Sequence, residues 1–230
     1  MIRLKQISTG SEKGNCYIYN GSLMLDVGVS YNKVKDVIED VKIIFISHEH
    51  TDHINHKAVQ TISEKHPNTM FVTGSQNVAQ VLEDYEVKHL VMELGKTYNF
   101  GILKLKLVKL YHDVENYGVR VLDDLKGIYL TDTAHLEGIT FKGYDWAIAE
   151  FNHCAKQIEE DIEYAIANNM YTHLIGSQNS HLSFQDCDKA LDENMKDGAE
   201  ILKVHMSSSY DPFYYDLHYY HEGKGEYKNE

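Results

Sequence analysis

The stretch Val41-Lys42-Ile43-Ile44-Phe45-Ile46-Ser47-His48-Glu49-His50-Thr51-Asp52-His53 decides how the chain is read. Its first half is apolar apart from one lysine and reads as a strand buried on both faces. Its second half brings the imidazoles of His48, His50 and His53 and the carboxylate of Asp52 within six residues. Helix-like sequence follows, from about Asn55 to Lys65. The cluster therefore sits on a loop at a strand's end, where side chains project from a rigid base. Imidazole nitrogen and carboxylate oxygen are the usual non-sulfur ligands of Zn²⁺. Alternation places His48 and His50 on one side of an extended segment, whereas Asp52 and His53 come after the turn. A two-and-two division of ligands suggests a pair of metals. The competing reading is a polar loop entering a helix. It leaves unexplained a cluster that is costly to hold together without a ligand.

Composition bounds the rest. At 230 residues the default is one compact domain with a large core. A net charge of −13 disfavours a long nucleic-acid footprint, which needs a stripe of Lys and Arg to displace counterions. It leaves room for a small anionic substrate, because bound metals invert the local field. Cys16, Cys154 and Cys187 are odd in number and widely spaced, so neither a disulfide framework nor a zinc-knuckle pattern is expected. Met1 to Gln6 leads into no long apolar run. The expectation is a cytoplasmic chain without a signal peptide and without membrane contact.

In chain order, Ile2 to Ile7 reads as a strand and residues 8–15 as a glycine-bearing turn. Cys16–Tyr19 and Ser22–Leu25 form a hairpin around Asn20-Gly21. Tyr31 to Asp40 reads as one short amphipathic helix. After the metal-like stretch, strands are expected over Thr69–Thr73 and Lys88–Met92, with a Ser-capped helix over Ser75–Asp84 between them. Ile102–Leu110 alternates and is a strand. Tyr117–Leu122, Gly127–Thr131, Trp146–Glu150 and Ile201–Val204 are further strands. Helices are expected over Cys154–Asn168 and Ser183–Met195. More metal ligands should come from strand ends. His112 follows the alternating strand, Asp132 follows Gly127–Thr131, and His205 follows the last core strand.

His48-x-His50-x-Asp52-His53 resembles the defining motif of the metallo-β-lactamase superfamily. The resemblance implies an αββα sandwich, two mixed β-sheets with helices on the outer faces, over residues 1–209, followed by a Tyr-rich extension over 210–230. It assigns His48, His50 and His112 to one divalent metal and Asp52, His53 and His205 to a second, with Asp132 between them. Zn²⁺ is expected, and Mn²⁺ or Fe²⁺ also suits these donors. Asp26 matches the family's ligand-orienting aspartate, with a simple turn cap as the alternative.

Asn179-Ser180-His181-Leu182-Ser183, followed by a helix and then the His205 strand, resembles the phosphodiesterase branch, including transfer-RNA 3′-processing nucleases. There the extra histidine protonates the leaving oxygen. This makes His181, Asp52 and Asp132 the catalytic residues; a plain helix cap is the alternative for His181. The chain also resembles WalJ-like hydrolases, through Gly10-Ser11-Glu12-Lys13-Gly14-Asn15, through His112-Asp113 with Gly118, and through Glu150-Phe151-Asn152-His153. Glu150 and His153 are then expected to order the site from behind the ligands, with a satisfied core histidine as the alternative for His153. The chain departs from that branch at Gly176-Ser177-Gln178 and at Met206-Ser207-Ser208-Ser209. Short length, acidic charge and these lost positions favour similarity to anti-Pycsar phosphodiesterases, which open 3′,5′-cyclic nucleotides and are dimers.

The resulting expectation is a dinuclear phosphodiesterase of small nucleotides. It is expected to act as a homodimer, to form no stable nucleic-acid complex, and to work in a host cytoplasm if phage-encoded, where it would serve immune evasion. The alternatives are a WalJ-like 5′–3′ DNA exonuclease, a hydrolase of esters, thioesters or lactams, and a catalytically idle metal-binding interaction protein. The aromatic run Tyr210–His221 can stack on a nucleobase, form a dimer contact, or pack as an edge strand on the core.

Overall fold

The structure, a computed structural model, describes residues 4–222. Ile2 and Arg3 of the first expected strand, and residues 223–230 of the expected Tyr-rich extension, lie outside the described residues. The chain forms two compact units. The first runs through Lys109 and includes Val114–Arg120; the second comprises Leu110–Asp113 and the residues from Val121 onward.

The first unit is built on β1 (Leu4–Ser8), β2 (Cys16–Tyr19), β3 (Leu23–Leu25), α1 (Tyr31–Val34), β4 (Ile43–Ile46), α2 (His56–Lys65), β5 (Met70–Thr73), α3 (Gln76–Asp84) and β6 (His89–Val91). The six strands make one mixed sheet in sequential order. β1-β2-β3 are antiparallel and β3-β4-β5-β6 are parallel. The hairpin turns where expected, with Asn20 and Gly21 both at positive φ (47° and 70°), as a type I′ turn requires. β4 is buried at all four positions, which is why its sequence is continuously apolar. α3 begins at the expected Ser75 cap, which accepts from the Val78 N–H (3.3 Å), and α2 begins at Asn55, which accepts from the Ala58 N–H (2.9 Å). Ala58, Val59 and Ile62 of α2 and Val78 and Leu82 of α3 join Ile44, Ile46 and Phe71 in one core.

The single helix expected over Tyr31–Asp40 is broken. One α-turn at Tyr31–Val34 is followed by a 3-10 turn at Ile38–Asp40. A ten-residue segment holds a helix only where tertiary packing supports it. Its path follows Val34 and Ile38, both of which are fully buried.

The first unit also carries β7 (Thr97–Asn99), most of β8 (Lys104–Tyr111) and most of β9 (Glu115–Leu122). β7 has no counterpart among the expected strands. Three residues are too few to show a period, and β7 exists through its antiparallel register with β8 (Tyr98 opposite Leu105).

In the second unit β10 (Lys126–Leu130), β11 (Tyr144–Glu150), α4 (Ala155–Ala167), α5 (Leu174–Ser180), α6 (Phe184–Asn194), β12 (Met195–Val204) and β13 (His218–Tyr220) follow in order. β10, β11 and β12 are parallel, and β13 adds antiparallel to β12. α5 was not foreseen because none of its residues is buried, so it shows no apolar stripe.

The aromatic tail packs in part, with Phe213, Tyr214 and Tyr220 exposed. Tyr210 and Tyr215 both lie 4.9 Å from the Phe184 ring, which itself stacks on Phe151 at 4.0 Å. β13 is the edge strand of its ladder, and Lys203 of β12 lies over the rings of Phe151 and Tyr219.

Gly127 sits opposite Trp146 in the β10–β11 register. A Cβ there would fall 1.8 Å from the buried indole. Gly127→Ala is therefore expected to destabilise the protein by about 3 kcal/mol, because a packed ring has nowhere to move. Thermal melts will check this, and an unchanged midpoint would mean the indole relocates freely.

Candidate functional site

In the first unit the expected residues converge behind β4. Asp26, fully buried, is the anchor. It accepts the Ser47 backbone N–H (2.7 Å), the Ser47 hydroxyl (2.8 Å) and the His53 Nδ1–H (2.6 Å). Ser47 Oγ also lies 3.0 Å from His48 Nδ1 and accepts its proton. Both rings are thereby oriented with Nε2 directed away from the anchor, the state a metal ligand needs. His48 Nε2 and His50 Nδ1 lie 3.1 Å apart. A tetrahedral ion with metal–nitrogen bonds of about 2.0–2.1 Å separates its ligands by roughly 3.4 Å, so the spacing suits two lone pairs on one small cation. Asp52 Oδ2 lies 3.4 Å from His53 Nε2. The donor set fits a divalent metal.

Asn15, the last residue of the expected turn over residues 8–15, bonds directly to the site. Its amide nitrogen reaches Asp52 Oδ2 (3.1 Å) and His53 Nε2 (2.9 Å), while its oxygen accepts from the Gly10 N–H and the Tyr17 hydroxyl. The backbones stack as well. The Asn15 N–H donates to the Asp52 carbonyl and the Gly28 N–H to the Asn15 carbonyl. A Cβ on Gly28 would lie 1.7 Å from the Asp52 oxygen, so only glycine allows these loops to approach this closely.

In the second unit Glu150, fully buried at the end of β11, is the corresponding hub. Its Oε1 accepts from His181 Nδ1 (2.6 Å) and His205 Nδ1 (3.2 Å); its Oε2 accepts from the N–H groups of Thr133 (2.7 Å) and Leu182 (3.1 Å). Ligand atoms of Asp132, Glu150, His181 and His205 all lie within 4.8 Å of one another. His112 gives its Nδ1–H to the Ser180 carbonyl (2.9 Å), which leaves Nε2 3.8 Å from Asp132 Oδ2. Asp132 and His205 both adopt positive φ (49° and 59°), as Asp26 does in the first unit (57°). Left-handed backbone at three non-glycine residues is strain of the kind that concentrates at functional sites.

His153 stays outside this hydrogen-bond network. It is buried, and its Nδ1 has no hydrogen-bond partner among the described residues.

Electrostatics follow the geometry. Burial pulls the His181 imidazole down, but the Glu150 carboxylate beside it wins and holds it above the usual imidazole range. Burial pushes Glu150 up, but His181 and His205 outweigh this and keep its carboxyl below the usual range. For His112 and His153 burial prevails, and both sit below the ordinary imidazole value. His181 is thus an imidazole oriented by a buried carboxylate and biased toward carrying a proton.

Comparisons with known proteins place the fold and the family. The chain is 26% identical over 170 residues to exodeoxyribonuclease WalJ of Streptococcus pneumoniae, in both strain D39 and strain R6. That alignment covers 64% of this chain and 61% of the relative, so the chain spans about three fifths of the curated relatives it matches. Among solved structures, the metallo-β-lactamase fold protein YhfI from Bacillus subtilis is similar at TM-score 0.71 and 16% identity, covering 90% of this chain and 88% of that one. The short form of human tRNase Z is similar at TM-score 0.67 and 16% identity, covering 91% and 94%. A diphosphatase of the PhnP family is similar at TM-score 0.60 and 13% identity, covering 90% and 88%. These likenesses show the metallo-β-lactamase fold, the fold class expected from the sequence. Among the described residues no helix is long and apolar enough to cross a membrane. Residues 29–205, most of the chain, match the Beta-lactamase superfamily domain, and with the His-x-His-x-Asp-His loop inside that span the chain belongs to the metallo-β-lactamase superfamily.

Proposed function

We propose that the protein is a metal-dependent phosphodiesterase of nucleotides and that its substrates are small 3′,5′-cyclic nucleotides. The observation that carries this reading is the 2.6 Å hydrogen bond from His181 Nδ1 to the buried Glu150 carboxylate. It orients the ring and holds a proton on it, so that Nε2–H can be given to an oxygen leaving phosphorus. General acid catalysis of this kind contributes about 10²–10⁴-fold.

His48, His50, Asp52 and His53 of the first unit, and His112, Asp132 and His205 of the second, are the residues that would hold two divalent ions, zinc foremost. When bound, such ions lower the pKa of a water and neutralise charge on a phosphoryl group. Asp26 and Glu150 keep the histidines in the required tautomer.

The charge of −13 supports a small substrate over long DNA. The match to exodeoxyribonuclease WalJ supports a second reading, a DNA exonuclease with the same chemistry. Purified protein supplied with Mn²⁺ or Zn²⁺ is expected to open cyclic mononucleotides and to leave end-labelled DNA intact. Turnover of DNA alone would replace the first reading with the second. A homodimer belongs to the same proposal, and light scattering will test it.

A further inference from the structure

Tyr111 ends β8 and His135 lies in the loop after β10, three residues beyond Asp132. Their rings stack, with centroids 4.1 Å apart and planes at 28°. Both are exposed, Tyr111 at 43%. Solvent-facing rings stay stacked only if their backbones are fixed, and here they are. Thr133 Oγ1 accepts the Tyr111 N–H (3.0 Å) and donates to the His135 carbonyl (2.9 Å), while the Ala134 N–H donates to the Tyr111 carbonyl (2.7 Å). The Thr133 N–H is in turn held by Glu150 (2.7 Å). The pair is therefore mounted on the residues that carry the site. Tyr111 directly precedes His112, and Thr133 directly follows Asp132. It also lies at the strand ends that deliver His112, Asp132, Glu150 and His205.

We propose that the Tyr111–His135 pair is the base-binding subsite, on which the substrate's purine or pyrimidine stacks while its phosphate lies at the metal ligands. This rests on the phosphodiesterase reading above. A π-face accepts any base, so the pair supplies affinity and orientation with little discrimination among bases.

The test is calorimetric titration of the Mn²⁺-loaded protein with adenosine 5′-monophosphate and, separately, ribose 5-phosphate. Base stacking is expected to make the nucleotide bind about 5- to 100-fold tighter than the sugar phosphate. Tyr111→Ala should collapse that ratio toward one, and Tyr111→Phe, which keeps the ring, should restore it. A pair that merely pins the loop would weaken both ligands alike and leave the ratio unchanged. An unchanged ratio in Tyr111→Ala and in a second variant, His135→Ala, overturns the proposal while the phosphodiesterase reading stands. A wild-type protein that binds neither ligand overturns both.

Discussion

Replacing His181 with alanine is expected to reduce phosphodiester turnover by about 10²- to 10⁴-fold and to leave the metal content unchanged. The expectation comes from the direction of its hydrogen bond. Nδ1 is committed to Glu150, a carboxylate whose other oxygen is held by two backbone N–H groups. The ring is thus fixed from behind, and Glu150 biases it toward carrying a proton. Alanine removes the proton donor, while His205 and Asp132 keep their own hydrogen bonds. Glu150→Gln should fall between wild type and His181→Ala, because an amide still accepts from His181 but no longer favours its charged form. Steady-state rates and metal analysis on the same preparations check this. Metal lost together with activity would make His181 a ligand, and unchanged turnover would remove it from the mechanism.

The second large effect is expected at Asp26. Asp26→Asn changes one oxygen to an amide donor, and with that donor at the Oδ2 position neither the His53 Nδ1–H nor the Ser47 hydroxyl is accepted. His53 must then turn its proton to Nε2, the nitrogen that faces Asp52 and Asn15. A protonated Nε2 cannot ligate a metal. Metal affinity is expected to fall about 10- to 100-fold, the usual consequence of losing a ligand's orienting partner. Competition with a chelator measures it directly. Stability should fall too, because Asp26 and Ser47 are both fully buried and a mismatched donor there costs about 1–3 kcal/mol. Wild-type metal affinity in the variant would mean that Asp26 only caps a turn.

Much of this architecture is readable before any coordinates. β4 announces itself because a strand covered on both faces must be apolar throughout, and α2 and α3 because their caps and buried stripes follow local rules. α5 and β7 escaped because neither has a buried face of its own to impose a period. The segment at Tyr31–Asp40 has helical spacing in its apolar residues, yet it forms an α-turn and a 3-10 turn. Asn15 and Thr133 were not recognisable as site residues. Their roles consist of hydrogen bonds to partners far along the chain, and no local pattern encodes such partners.

The chemistry of the opening stretch is legible in its residues. Three imidazoles and an aspartate after a buried strand are metal donors whatever surrounds them, and their spacing matches one superfamily's motif. The tertiary structure settled which nitrogen of each ring faces its orienting partner and which faces the other donors. Tautomer and orientation depend on Asp26 lying behind His53, Ser47 behind His48, Ser180 behind His112, and Glu150 behind both His181 and His205. In most of these pairs tens of residues separate the partners, and the backbone folds that join them carry no side-chain signature.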